Sequence, residues 1–441
     1  MRTLFTFLTA LVLSASITTS IAMAETQKWV TTWVGSVQGP YPVGNPSAQP
    51  NQSVVFPEAK IGANNQSFRL IVKPDVWGRK TRIRLSNALG TQPVTFDDVY
   101  VGLQLASAAV VAGTNQHLTF AGKNSVTIKP GESVWSDGVT LPFVSQSAAL
   151  DGRKLAVSFH VAGTSGPMTW HAKALQTSYL TPPGAGSVTQ DVAEQAFPYS
   201  TASWFFLDAV DMQLPADTRV VVCFGDSITD GTASTMNGDD RWPDVLSRRL
   251  HARYGYKTVV LNAGIGGNQI AGPAAYSANA PFAGGPSSGM RLDRDVISLS
   301  GVNALIWLEG INDFSKNGNA SSTAVIDAMT AGINKLKTAN IKVIGATVGS
   351  ALNSTSAAHG SAEQEAKRQE LNGFIRHSPL FAGVIEFDPL TLDIKTGEMK
   401  AEFVPESTTG GPGEKLHPNR AGYQAMGHGI ELKKIMSATA R

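Results

Sequence analysis

The sequence has a single cysteine, Cys223, so an intramolecular disulfide is impossible and a cysteine-rich metal site is excluded. Set in the apolar run 220–224, that thiol reads as a small buried residue on a strand. Charge is scarce and balanced: charged residues make up 16%, and 36 Lys and Arg against 34 Asp and Glu leave a formal +2. That balance lacks the electrostatic footprint of sequence-independent nucleic-acid binding, and no basic block suits an anionic membrane surface. The 8 histidines are scattered without His-Glu-x-x-His or comparable ligand spacing, so metal catalysis has little support. After the first two dozen residues no run is long and apolar enough to cross a bilayer, and no stable membrane insertion is expected. What remains is a chain of 441 residues, 42% hydrophobic, with 43 Gly and 23 Pro. This is the composition of a folded, loop-rich protein of two or three domains.

Residues 1–24 read as a secretory signal: Arg2 gives the positive start, 4–15 the apolar stretch, and Ala22-Met23-Ala24 the small-residue cleavage site. A retained anchor fits less well, because Thr6, Thr9 and Ser14 interrupt a run that falls short of the ~20 residues of a span. A mature chain starting at Glu25 is therefore expected to be secreted or periplasmic. From 25 to 210, short alternating segments such as 67–72, 81–85, 125–128 and 154–161 are punctuated by Gly, Pro, Asn and Ser. They predict an all-β sandwich or jelly-roll domain without a long amphipathic helix. The boundary falls near 208–217.

From 218 to 441 the texture changes. Apolar runs at 220–224, 258–261, 304–308, 343–347 and 384–387 alternate with helical stretches near 242–254, 323–339 and 361–377. Alternation of this kind predicts a three-layer α/β domain around a buried parallel sheet. A last helix starts after Pro418 and carries Tyr423, Met426 and Ile430 at spacings of three and four. The Gly-, Ala-, Pro- and Ser-rich stretch 272–289 reads as a long loop beside the strand ends, where substrate access is shaped.

Sites in open α/β sheets form beyond the carboxyl ends of the strands. Three runs end in polar clusters there: Gly225-Asp226-Ser227, Asn262-Ala263-Gly264-Ile265-Gly266-Gly267-Asn268, and Gly310-Ile311-Asn312-Asp313. A fourth, Glu414-Lys415-Leu416-His417-Pro418-Asn419, precedes the final helix. Together these pieces can make an acyl-transfer site. A serine hydroxyl needs a base to become a nucleophile, and His417 can serve Ser227; Glu414, three residues earlier, can reach the other ring nitrogen if the segment turns tightly. The backbone N–H groups of Ser227 and Gly267 and the side-chain amide of Asn312 would then converge on a developing oxyanion. Each piece alone has an ordinary structural explanation as a turn, cap or satisfied histidine. Their order and strand-end placement carry the inference.

These four blocks resemble those of the GDSL-type, or SGNH, serine hydrolases. Ser227 matches the nucleophile of the family's Gly-Asp-Ser block, Gly267 the glycine of its second block, Asn312 the asparagine of Gly-x-Asn-Asp, and His417 the histidine of the last block. The resemblance covers about residues 218–436 and implies a flavodoxin-like fold and a carboxylic-ester hydrolase that needs no cofactor. The amino-terminal half, in segments 29–35, 82–94 and 170–179, resembles less specifically the β-domain of an arylesterase or acylhydrolase branch linked to polysaccharide-degrading enzymes. That likeness implies short acyl or aryl esters, including polysaccharide-linked acetyl groups, as the substrate class.

In one place the sequence departs from the family, which usually has aspartate where Glu414 stands. The added methylene displaces the carboxylate by about 1.5 Å on an unchanged backbone. Three outcomes are open: a working Ser-His-Glu triad, a His417 held partly by a backbone carbonyl, or an impaired enzyme. The last corresponds to the alternative function, a catalytically impaired carbohydrate-binding or surface adhesion protein. Among other candidates, Gly285-Pro286-Ser287-Ser288-Gly289 fits Gly-x-Ser-x-Gly but lacks the preceding strand that a nucleophile elbow needs. Trp170-His171 reads as an aromatic core residue beside a surface histidine, with the border of a ligand groove in the β-domain as the alternative. Asp313 is expected to tie down its own turn, and Glu309 to meet a fixed structural partner.

Overall fold

A computed structural model describes residues 26–440; the signal assigned to 1–24 lies outside the described residues. Two antiparallel sheets and a two-stranded ribbon form the amino-terminal half. One sheet runs Gln27–Val34, Leu207–Pro215, Lys80–Ser86, Ser133–Trp135, with Val139–Thr140 also on Lys80–Ser86. The other is built around Asn64–Val72, Leu155–Thr164 and the long strand Val94–Ala106. Its centre is aromatic: Phe159 lies opposite Phe68, their rings stacked at 5.2 Å, with Phe96, Phe205 and Phe206 around them. One ring from each of the three strands, with Phe205 and Phe206 packed on them, turns the inner face into a core. Helical turns in this half are short 3-10 segments.

The last antiparallel strand ends at Pro215 and the first parallel strand starts four residues later. Five parallel strands follow in the order Thr258–Gly264, Arg219–Gly225, Val302–Leu308, Lys342–Ala346, Gly383–Ile385. In chain order this is 2-1-3-4-5, the flavodoxin-like arrangement. Val221, Val222, Leu305, Ile306 and Trp307 are fully buried, as expected of strands covered on both faces. Helices pack against the sheet in two groups, Trp242–Tyr254 with Arg420–Gly429, and Ser322–Thr338 with Ser288–Leu292 and Ala362–His377. Helix 420–429 stops before Ile430, which is extended, and a further helix, Leu432–Thr439, follows. The sequence pattern runs through this break because Ile430 is buried without being helical.

The two halves share one continuous apolar core. Their seam also carries buried polar links. Arg84 pairs with Asp208 (2.7 Å) and reaches across to Ser298 Oγ (2.9 Å), and Asp75 accepts from Val260 N–H (2.7 Å). In this order of strands the connections reverse direction between Arg219–Gly225 and Val302–Leu308, which is where a crevice opens at the carboxyl ends. Ser227 and Asn312 follow those two strands.

Candidate active site

Strand Arg219–Gly225 ends where only glycine fits: a Cβ on Gly225 would lie 2.1 Å from Leu308 O on the neighbouring strand. Asp226 then turns the chain, its side chain accepting from Ile228 N–H (2.9 Å) to cap the short helix Ser227–Asp230. Ser227 thereby takes the first helical position, whose N–H has no carbonyl within the helix to bond. Burial, reinforced by Glu309 and Asp313 nearby, pushes the Asp226 carboxyl well above its ordinary range. A neutral carboxyl still accepts through its carbonyl oxygen, so the cap survives protonation.

His417 is placed by local geometry. Lys415 adopts a left-handed φ of 63°, folding the segment so that Glu414 and His417 face each other. Two residues on, Asn419 caps helix Arg420–Gly429 by accepting from Gly422 N–H (3.1 Å), while its amide donates to Glu402 O (3.0 Å). On the near side, Thr355 N–H (3.0 Å) and Ser354 Oγ (2.6 Å) hold the Glu414 carbonyl. In this frame His417 Nδ1 donates to the Glu414 carboxylate, and Ser227 Oγ donates to His417 Nε2 across 2.7 Å. Burial works to raise the Glu414 carboxyl. The hydrogen bond and charge of His417, with His359 and Lys173 adding to it, outweigh burial and hold it below the usual carboxylate range. Glu414 thus faces Nδ1 with its side-chain carboxylate and not with its backbone carbonyl, which Ser354 and Thr355 occupy.

The donor side is built from the loop after strand Thr258–Gly264. Ile265 N–H bonds Gly225 O (3.0 Å), Gly266 N–H bonds Asp230 Oδ2 (2.9 Å), and Asn268 N–H bonds Ile265 O (3.1 Å). Among the described residues, the Gly267 N–H has no acceptor. Its φ of 83° is the left-handed conformation that favours glycine. Asn312 donates one amide hydrogen to Asn268 O (3.1 Å), which leaves its second free and ties it to the same loop. Beside His417 and Glu414 lies a cavity of about 390 Å³, bordered also by Thr232, Ala233, Glu406 and Gly411. Among the described residues, no group of three or more His, Cys, Asp or Glu side chains could hold a metal ion.

Other singled-out residues fall into place around this centre. Glu309 is buried and accepts from Ser288 Oγ (2.5 Å) and Trp307 Nε1 (2.9 Å), a fixed structural role. Asp313 accepts from its own backbone N–H within the turn and also reaches beyond it. It accepts from Ile270 N–H (2.9 Å) and Ala271 N–H (2.8 Å), fastening the far end of the donor loop, and burial pushes its carboxyl up to about 7. Ser287 precedes the short helix Ser288–Leu292 and follows loop, not strand. His171 is not on the surface: it is 3% exposed, because it sits in the seam between the halves and bonds Ser36 O (2.7 Å) and Asp230 Oδ1 (3.1 Å).

Three further residues carried no motif. Arg291, fully buried, donates to Gly225 O and Ala263 O (both 2.8 Å) and to Asn268 Oδ1 (2.6 Å), clamping two strand ends beneath the site. Lys173 is buried and donates to Thr232 Oγ1. The Nε2 of His359, near Glu414 and His417, is buried without a partner among the described residues; burial, with the charge of His417, lowers this ring's pKa to about 4. The only signal for them was that a charge placed among apolar residues must find partners if it is buried.

Residues 223–425 match the GDSL-like Lipase/Acylhydrolase family. Among curated proteins none matches. Solved structures similar to about half of the chain include Est24, a carbohydrate acetylesterase from Sinorhizobium meliloti, at 17% identity over 50% of this chain and 99% of that one, with a TM-score of 0.38. The aryl esterase of M. smegmatis is 14% identical over 51% of this chain and 100% of that one, with a TM-score of 0.38. LAE5, an alpha/beta hydrolase enzyme from the metagenome of Lake Arreo, Spain, is 16% identical over 51% and 96%, with a TM-score of 0.36.

Proposed function

We propose that the protein, whose residues 223–425 match the GDSL-like Lipase/Acylhydrolase family, is a serine carboxylic-ester hydrolase working through an acyl-serine intermediate. The observation that carries this reading is the 2.7 Å contact from Ser227 Oγ to His417 Nε2, with Glu414 on the opposite ring nitrogen. His417 takes the hydroxyl proton as Ser227 attacks the ester carbonyl, and Glu414 holds the ring in the tautomer that receives it. Negative charge then grows on the carbonyl oxygen, where the Ser227 and Gly267 N–H groups and the Asn312 amide donate. The imidazolium gives its proton to the departing alkoxide, which leaves as the alcohol. Water repeats the sequence on the acyl-serine, releasing the acid and restoring Ser227.

Short acyl or aryl esters are the proposed substrates, with acetyl groups on polysaccharide as the favoured natural class. This preference rests on the resemblance of segments 29–35, 82–94 and 170–179 to the β-domain of an arylesterase or acylhydrolase branch; the cavity bordered by His417 and Glu414 is not lined by Ser227, Gly267 or Asn312. Among the described residues, no helix is long and apolar enough to cross a membrane. Export with removal of 1–24 remains part of the proposal; sequencing the mature amino terminus should return Glu25 first.

The enzymatic reading is tested by hydrolysis of an aryl acetate, followed by an acyl-chain-length series and acetate release from acetylated xylan. Wild-type turnover that Ser227→Ala lacks is the expected result. Retention on polysaccharide without turnover of any ester would instead establish a binding protein.

A further inference from the structure

Gly267 shares a peptide unit with the carbonyl of Gly266, and that carbonyl is gripped from the other half of the molecule. Asn45, on the segment between the first two antiparallel strands, donates its side-chain Nδ2 to Gly266 O across 2.8 Å. A trans peptide is planar, with C=O and N–H pointing in opposite directions. Fixing the Gly266 oxygen therefore fixes the direction of the Gly267 N–H, which has no partner among the described residues. A hydrogen bond to the carbonyl also polarises the peptide and strengthens the N–H as a donor.

Asn45 is itself held in place. Trp170, buried in the antiparallel core, donates its Nε1 to Val43 O (3.0 Å), and Val43 N–H bonds Pro40 O (2.8 Å). Glycine at 267 makes room for the asparagine, since a Cβ there would lie 2.4 Å from Asn45 Nδ2. The same peptide neighbourhood is braced a second time from the antiparallel half. Gly266 N–H donates to Asp230 Oδ2, and Asp230 Oδ1 meets His171 Nε2 at 3.1 Å. Both His171 nitrogens face oxygen acceptors, Ser36 O on one side and Asp230 on the other, an environment for the doubly protonated ring.

We infer that Asn45 is a positioning residue for catalysis: the antiparallel half completes the oxyanion site by aiming the Gly267 N–H. The inference rests on the reading of Ser227 as nucleophile and Gly267 as donor. It gives the amino-terminal half a part in the chemical step, beyond any part in binding or bracing.

The test compares Asn45→Ala, Asn45→Asp and Ser227→Ala in the full chain, with an aryl acetate as substrate and thermal melting as the control for folding. Aspartate keeps the shape of asparagine but sets an acceptor against the Gly266 carbonyl. Misdirecting one donor should lower kcat and kcat/KM together by roughly 10- to 100-fold, with KM changed less than about 3-fold and an unshifted melt. The aspartate variant should lose at least as much as the alanine variant. Wild-type kcat in a folded Asn45→Asp protein overturns the inference, as does a raised KM with kcat unchanged. If the Asn45 variants are unimpaired while Ser227→Ala is inactive, only the role of Asn45 fails. If Ser227→Ala itself retains turnover, the reading of the whole site fails.

Discussion

The two sides of Ser227 are held in different ways. The acid–base side is mostly local: Glu414 and His417 lie three residues apart, a left-handed Lys415 folds them together, and Asn419 caps the next helix two residues later, with Ser354 and Thr355 on the Glu414 carbonyl as its distant support. The donor side is assembled at long range. Its loop at 265–268 is tied to Asp230, Arg291 and Asn312 within the α/β half and to Asn45 in the antiparallel half, 221 residues from its partner. A base that must meet its nucleophile can be delivered by one stiff turn. Several donors that must converge on a single oxygen need supports from several directions.

This contrast is broken or sharpened most strongly on the local side. Glu414→Ala should lower kcat by roughly 10³- to 10⁴-fold on short esters, less than the loss in Ser227→Ala, because an orienting acid contributes less than the nucleophile. Losses of equal size in two folded variants would give Glu414 a larger role than orientation. On the donor side, Asn312→Ala should cost roughly 10²- to 10³-fold in kcat, the range for one oxyanion donor. A variant with no measurable loss removes Asn312 from the site and leaves it as a tether for Asn268.

The smallest effect concerns stability. His359 stays neutral in the folded protein down to about 4, whereas in the unfolded chain a histidine takes up a proton near ~6.5. Between those values the unfolded state binds more protons, so stability falls as pH falls across the window. The expected loss is roughly 1–3 kcal/mol between pH 6.5 and 4, and His359→Gln should flatten it. Melting curves of the two proteins across that window check this; parallel acid-side slopes would contradict it.

What the sequence disclosed follows the same division. The parallel strands were legible because Val220–Phe224 and Ala304–Leu308 are apolar without alternation, and helix Trp242–Tyr254 because Pro243 opens it and Gly255 closes it. Ser227 and Asn312 stood out because each follows a strand within a short motif, and His417 because its motif precedes the final helix. Asn45, Lys173 and His171 did not, since their partners Gly266, Thr232 and Asp230 lie in the other half and no local pattern encodes a contact across the seam. His171 was placed at the surface for that reason: beside Trp170 on a two-residue strand, nothing indicates which neighbour covers it. The links from Asp313 to Ile270 and Ala271 were not legible for the same reason, since those N–H groups lie more than forty residues away.

The central claim is that Ser227, activated by His417, attacks the ester carbonyl. Treating the native protein with a fluorophosphonate and mapping the adduct by peptide mass tests it most directly. Stoichiometric label on Ser227, with ester hydrolysis lost in step, is the predicted result. A protein that goes on cleaving esters with Ser227 unmodified would contradict it.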